Sequence, residues 1–168
     1  MESPIYYFTR KTVTGHSDLK DVLGGKGANL AGMAKLGVPV PDGFTIATEE
    51  CMNYLDAQDT QKATILNDVV SEVITAMNTM TYDMGLNTHP LVSVRSGARV
   101  SMPGMMDTLL NIGMTTSNMD YWVERLGAWT AYDCRRRQIQ MYANVVEGVA
   151  MGHFELALNE AKSVSGVD

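Results

Sequence analysis

The sequence predicts an α+β fold in two parts: mixed strand and helix through residue 113, then helix alone to residue 168. Three observations predict it. Short apolar runs bounded by Gly or Pro recur up to residue 112, and stretches with apolar residues three and four apart lie between them. From Ser117 onward only the helical spacing continues. The chain has 168 residues, 45% hydrophobic and 19% charged, enough for one core or one core with an appended helical piece. It contains no internal repeat and no low-complexity tract.

Ile5 to Phe8 is an apolar, aromatic run suited to a strand, and a polar stretch follows through His16 and Ser17. Gly24-Gly25-Lys26-Gly27 then reads as a turn directly before a helix that carries Ala28, Leu30, Ala31, Met33, Ala34 and Leu36 and ends at Gly37. In VPVPDGFTI, Pro39 and Pro41 demand extended backbone and limit a strand to an edge or to Phe44–Ile46. Thr48 is expected to cap the next helix with its hydroxyl, with Glu49 and Glu50 near the positive end of the dipole. Ile65, Val69, Val73 and Met77, flanked by Leu66, Val70 and Ile74, predict an amphipathic helix over about 60–80. Leu91, Val92 and Val94 read as a strand, and Leu109 to Ile112 as its return partner across a long loop. Two or three helices follow, with Trp122, Trp129 and Tyr132 expected in the core.

Composition excludes several classes of function. A net charge of −6 offers no dense Lys/Arg surface for general nucleic-acid binding. No apolar run approaches the roughly 20 residues that span a bilayer, and residues 1–10 lack the pattern of a signal peptide. The expectation is a cytoplasmic protein, or an organellar one whose targeting segment lies outside this sequence. Cys51 and Cys134 form no CxxC pair and read as reduced structural thiols. The thirteen methionines fit core filling or an adaptable surface. His16, His89 and His153 have no second ligand at metal spacing, and Arg135, Arg136 and Arg137 point to different sides of one helix, a solvated or interdomain face.

The run from Ser93 to Thr108, SVRSGARVSMPGMMDT, is hard to explain as core. Its glycines, Ser96, Ser101 and Pro103 break any regular pattern and leave amides, hydroxyls and the guanidinium groups of Arg95 and Arg99 in a polar loop. That chemistry suits an anion with several oxygens, and Gly104 lets backbone approach such a ligand closely. The bland reading is a surface loop in which an arginine pairs with a nearby acid such as Asp107, itself weak evidence for magnesium. Gly24 to Gly27 places flexible backbone, the Lys26 ammonium and helix-start amides together, a second arrangement suited to an anion. It is not the Walker pattern GxxxxGK[ST], and alone it reads more simply as a turn into a helix.

GGKGANLAGMAKLGVPVPDGF, LVSVRSGARVSMPGMMDTLLNIG and AWTAYDCRRRQIQMYANVV, in that order, resemble the start of the pyruvate, phosphate dikinases. SMPGMMDT points to that branch rather than to the related phosphoenolpyruvate synthases. The resemblance implies the first part of an ATP-grasp nucleotide-binding domain (1–113) followed by a truncated helical subdomain (114–168). It also implies an enzyme that passes a phosphoryl group from ATP through a histidine to pyruvate, giving phosphoenolpyruvate, AMP and pyrophosphate. Lys26 and Arg95 match the family's ATP-phosphate-binding lysine and arginine; Arg99, Ser101 and Gly104 match its phosphate-covering loop. The Thr-Ser-His-Ala phosphohistidine motif is absent from this sequence, so it contributes no catalytic residue. ATP with Mg²⁺ is the implied cofactor, with the metal carboxylates, the adenine pocket and the pyruvate barrel expected from parts beyond this sequence. The partners implied are ATP and the remaining dikinase domains or another protein, with a homodimer left open. A chain carrying this portion alone is expected to be inactive; the other class of reading is a free-standing binding or regulatory module.

Overall fold

The computed structural model describes residues 3–85, 89–97 and 108–166. They fall into two compact units, one built from residues up to 89 together with 97, the other from residues 90–96 and from 108 onward. The described chain is α+β, with two separate two-stranded antiparallel sheets and otherwise helix.

In the first unit, β1 (Ile5–Phe8) pairs with β2 (Gly43–Ile46), with Ile5 opposite Ile46 and Phe8 opposite Gly43. The missing side chain at Gly43 makes room for the Phe8 ring, whose Cζ would lie 2.6 Å from a Cβ there. Helix α1 (Lys20–Lys35) packs on this pair, and Leu23, Ala28 and Ala31 form the core with Tyr6, Leu19 and Val22. Small residues on the buried face bring the helix close to the strands. Its end follows the Schellman pattern: the Gly37 amide donates to the Ala34 carbonyl and the Val38 amide to the Met33 carbonyl, both at 3.0 Å.

Helices α2 (Thr48–Asp56) and α3 (Asp59–Asp83) complete this unit. Thr48 does begin α2, but its hydroxyl does not cap the helix. It donates to the Asp21 carbonyl at 2.7 Å and ties the start of α2 to the first turn of α1. The apolar spacing along α3 is as expected, yet only Ala76 and Met80 are buried, while Leu66, Val70 and Ile74 are exposed.

In the second unit, β3 (Val92–Arg95) pairs with β4 (Thr108–Ile112), which leads through a 3-10 turn (Thr116–Asn118) into α4 (Met119–Leu126), α5 (Ala128–Val145) and α6 (Met151–Ser165). Met114, Met119, Trp122 and Ala131 form its core, backed by Tyr121, Val123 and Cys134. Trp122 is core, as expected. Trp129 and Tyr132 are not: they are 89% and 60% exposed. On α5 the buried position is Ala131, which packs in the cluster with Met114, Met119 and Trp122. Both cysteines are free thiols.

Candidate functional site

The glycine-rich segment lies inside α1 rather than before it. The helix starts at Lys20 and is interrupted at Gly24, whose φ of 66° and ψ of 168° belong to a region that only glycine occupies readily. A helical run thus ends at Leu23 and a new one begins at Gly25, so Gly25, Lys26 and Gly27 form a first turn. Amides of such a turn have no carbonyl one turn back on the same axis and serve outside acceptors, with the positive end of the dipole behind them.

The glycines of this turn do different work. A Cβ on Gly27 would lie 2.7 Å from Thr45 Cγ2 and 2.8 Å from Thr45 Oγ1, so Gly27 is a packing position against β2. A Cβ on Gly25 would meet no atom of the described residues within 4 Å. Among the described residues, space is therefore open beside the Gly25 backbone, next to the half-buried Lys26. An ammonium group together with first-turn amides is chemistry that suits phosphate oxygens.

Arg95 is the last residue of β3, exposed, and opposite Thr108 in register. It makes no ion pair with any described acid; Asp107, the acid weighed as its partner, lies outside the described residues. Two residues on, Gly97 belongs to the first unit, where a Cβ on it would stand 3.7 Å from the Leu23 carbonyl oxygen. The polar loop thus begins beside the residue that precedes the Gly24 break. Arg99, Ser101 and Gly104, with Asp107, lie outside the described residues.

Among the described residues no three His, Cys, Asp or Glu side chains converge to hold a metal. Lys26, Arg95 and the first-turn amides are cations and N–H donors, a chemistry that suits an anion rather than a metal ion. A shallow depression of about 470 Å³ on the first unit, lined by His16, Asn29, Met33 and Leu36 among others, contains neither Lys26 nor Arg95. No helix among the described residues is long and apolar enough to cross a membrane.

The arginine triplet on α5 is structural. Arg135 Nη1 donates to the Met114 carbonyl at 2.9 Å and to Gln138 Oε1, while Arg136 and Arg137 both pair with Asp133. The Arg136 hydrogen bond, helped by the charges of Arg137 and Arg136, holds the Asp133 carboxyl below its ordinary value of 3.8. Sequence reasoning missed Arg135 as a tie between α5 and the end of β4, and it also missed Asn111, whose Nδ2 donates to the Cys134 carbonyl at 3.1 Å. An asparagine within an apolar strand, two residues before a glycine, was the available signal.

Residues 20–65, which contain α1 and the Gly24 break, match the family model described as "Pyruvate phosphate dikinase, AMP/ATP-binding domain". Pyruvate, phosphate dikinase 1, chloroplastic, of Oryza sativa subsp. japonica is 41% identical over 164 residues, which is 97% of this chain and 17% of that protein. Pyruvate, phosphate dikinase of Clostridium symbiosum is 44% identical over 158 residues, 91% of this chain and 18% of that protein. Over nearly its whole length, the chain is similar to the pyruvate, phosphate dikinases. A third relative, pyruvate, phosphate dikinase, chloroplastic, of Flaveria trinervia, is 37% identical over the same 97% of the chain. The chain spans less than a fifth of the length of these relatives.

Proposed function

We propose that this chain is the ATP-phosphate-binding portion of a pyruvate, phosphate dikinase. Residues 1–113 correspond to the N-terminal part of an ATP-grasp domain and 114–168 to its helical subdomain. Lys26 and the first-turn amides beside Gly25 take phosphate oxygens of ATP, Arg95 takes others through its forked guanidinium, and Arg99, Ser101 and Gly104 cover them. The observation that supports this reading is the break at Gly24, which restarts α1 at Gly25 and puts Lys26 on a first turn. Mg²⁺ arrives with the nucleotide and offsets phosphate charge there. The complete reaction, ATP, phosphate and pyruvate to AMP, pyrophosphate and phosphoenolpyruvate, needs the phosphohistidine and pyruvate sites that this sequence does not contain, in the cytoplasm or an organelle.

A second reading is a binding or regulatory module acting through protein contacts. It is favoured by the exposed apolar stripe of Leu66, Val70 and Ile74 on α3, which suits a protein partner, whether further dikinase domains or a second copy. Calorimetric titration of the chain with Mg-ATP separates the two. The phosphate reading expects weak binding, since one side of a nucleotide pocket buries little of its ligand, and its loss in both Lys26→Ala and Arg95→Ala. Absence of binding by the wild-type chain contradicts that reading and leaves the module.

A further inference from the structure

The turn at the end of β4 is held in an unfavourable backbone conformation by more side-chain hydrogen bonds than a link from strand to helix requires. Asn111 has a φ of 59°, the only positive φ at a non-glycine among the described residues. Gly113, at φ 116°, stands where a Cβ would run into the Pro90 carbonyl oxygen, so no other residue fits that approach. Three side chains fix this segment. Asn111 Nδ2 donates to the Cys134 carbonyl at 3.1 Å, Asn118 Nδ2 to the Gly113 carbonyl at 2.8 Å, and Arg135 Nη1 to the Met114 carbonyl at 2.9 Å. Two of these ties go to adjacent residues of α5. Strained backbone persists where its surroundings over-determine it, and such places are frequently functional.

The strand register says what is being fixed. Val92 faces Ile112 and Val94 faces Leu109, so β4 carries one residue more than β3 between these pairs, and Leu110 and Asn111 together face Ser93. Just beyond this bulge stands the pair Arg95 and Thr108. A slip of one residue in such a pairing turns every following side chain of the slipped strand to the other face.

We propose that Asn111 is a positioning residue for Arg95. Its left-handed backbone makes the bulge that sets the β3–β4 register, and its amide pins that bulge to α5, so the guanidinium at the end of β3 is presented to a phosphate in one orientation. Asparagine suits both tasks, since it tolerates the left-handed region and carries an amide donor. The ligand in this inference rests on the phosphate reading above; the hold of Asn111 on the hairpin does not.

The test titrates Mg-ATP into the 168-residue chain carrying Asn111→Gly, which keeps the backbone conformation accessible and removes the amide. Loss of one such hydrogen bond at a positioning residue should weaken affinity about fivefold. In an Arg95→Lys background, where a flexible ammonium needs no fixed orientation, the same change should cost less than about twofold. Equal losses in both backgrounds would overturn the positioning role. Amide hydrogen exchange provides a readout without nucleotide: Asn111→Gly should lower protection of the β3 and β4 amides while the α4–α5 core keeps its protection. Unchanged hairpin protection would overturn the register role. If the wild-type chain does not bind Mg-ATP, the phosphate reading fails and the Arg95 half of this inference fails with it, while exchange still decides whether Asn111 holds the hairpin. Asn111→Asp, which keeps the shape and lacks the donor, replaces Asn111→Gly if the latter does not fold.

Discussion

Gly24 and Gly25 are adjacent and identical in chemistry, yet alanine at each should do opposite things. At Gly24 the φ of 66° and ψ of 168° form a combination costing a non-glycine residue about 1–3 kcal/mol. At about 2–4 °C per kcal/mol for a chain of this size, Gly24→Ala should lower Tm by roughly 2–12 °C. At Gly25 a Cβ meets no atom of the described residues within 4 Å, and the position is on the first turn of the resumed helix. Alanine there gains about 0.4–1 kcal/mol from lower unfolded-state entropy and better helix propensity, so Tm should hold or rise by a few degrees, about 1–4 °C. The methyl group would nonetheless fill the space assigned to phosphate, and Mg-ATP affinity should fall at least about tenfold. Thermal melts followed by circular dichroism, paired with calorimetric titration of the same samples, read both effects. A Gly25→Ala chain as destabilised as Gly24→Ala would refute the open-space reading. One that kept both its Tm and its nucleotide affinity would refute the placement of phosphate at this turn.

Gly27→Ala should destabilise, because its Cβ would press on Thr45 at 2.7 Å; overpacking of this kind costs about 1–3 kcal/mol, offset by up to about 1 kcal/mol of helix propensity. Adding Thr45→Ala removes the clashing atoms, so the double variant should melt above Gly27→Ala alone. Arg135→Ala strips the Met114 carbonyl of a charged donor and should cost about 1.5–3 kcal/mol, measured by urea denaturation. Asp133 is held below 3.8 by Arg136 and Arg137, so the stability it contributes is fully present above pH 3.8 and is lost as pH falls through its lower folded value. An NMR titration should place its midpoint below 3.8 and return it toward 3.8 in Arg136→Gln.

The parts of the fold legible in the sequence were those set by local pattern. The four strands and the long helix α3 follow from runs and spacings that any chain must satisfy to bury one face. Lys26 and Arg95 stood out because a charge beside glycine, at a helix start or a strand end, has no packing explanation. What was not legible depends on distant partners. Gly24 to Gly27 looked like a turn before a helix, whereas a left-handed glycine allows helix on both sides of the break. The Thr48 hydroxyl found the Asp21 carbonyl instead of its own helix. Trp129 and Tyr132 share the apolar spacing of α5, but spacing does not say which stripe of a helix α4 will cover. The Asn111 bulge needs the pairing of β3 with β4 and the placement of α5 before it has any meaning.

The central claim is that the Gly25–Gly27 turn and the end of β3 receive the phosphates of one nucleotide. Amide NMR of the 168-residue chain titrated with Mg-ATP tests it most directly. The account predicts concerted shifts, with one saturation curve, at Gly25, Lys26 and Gly27 and at Arg95, Ser96 and Gly97. Shifts confined to one of the two segments, or centred on the depression around His16 and Met33, would contradict it.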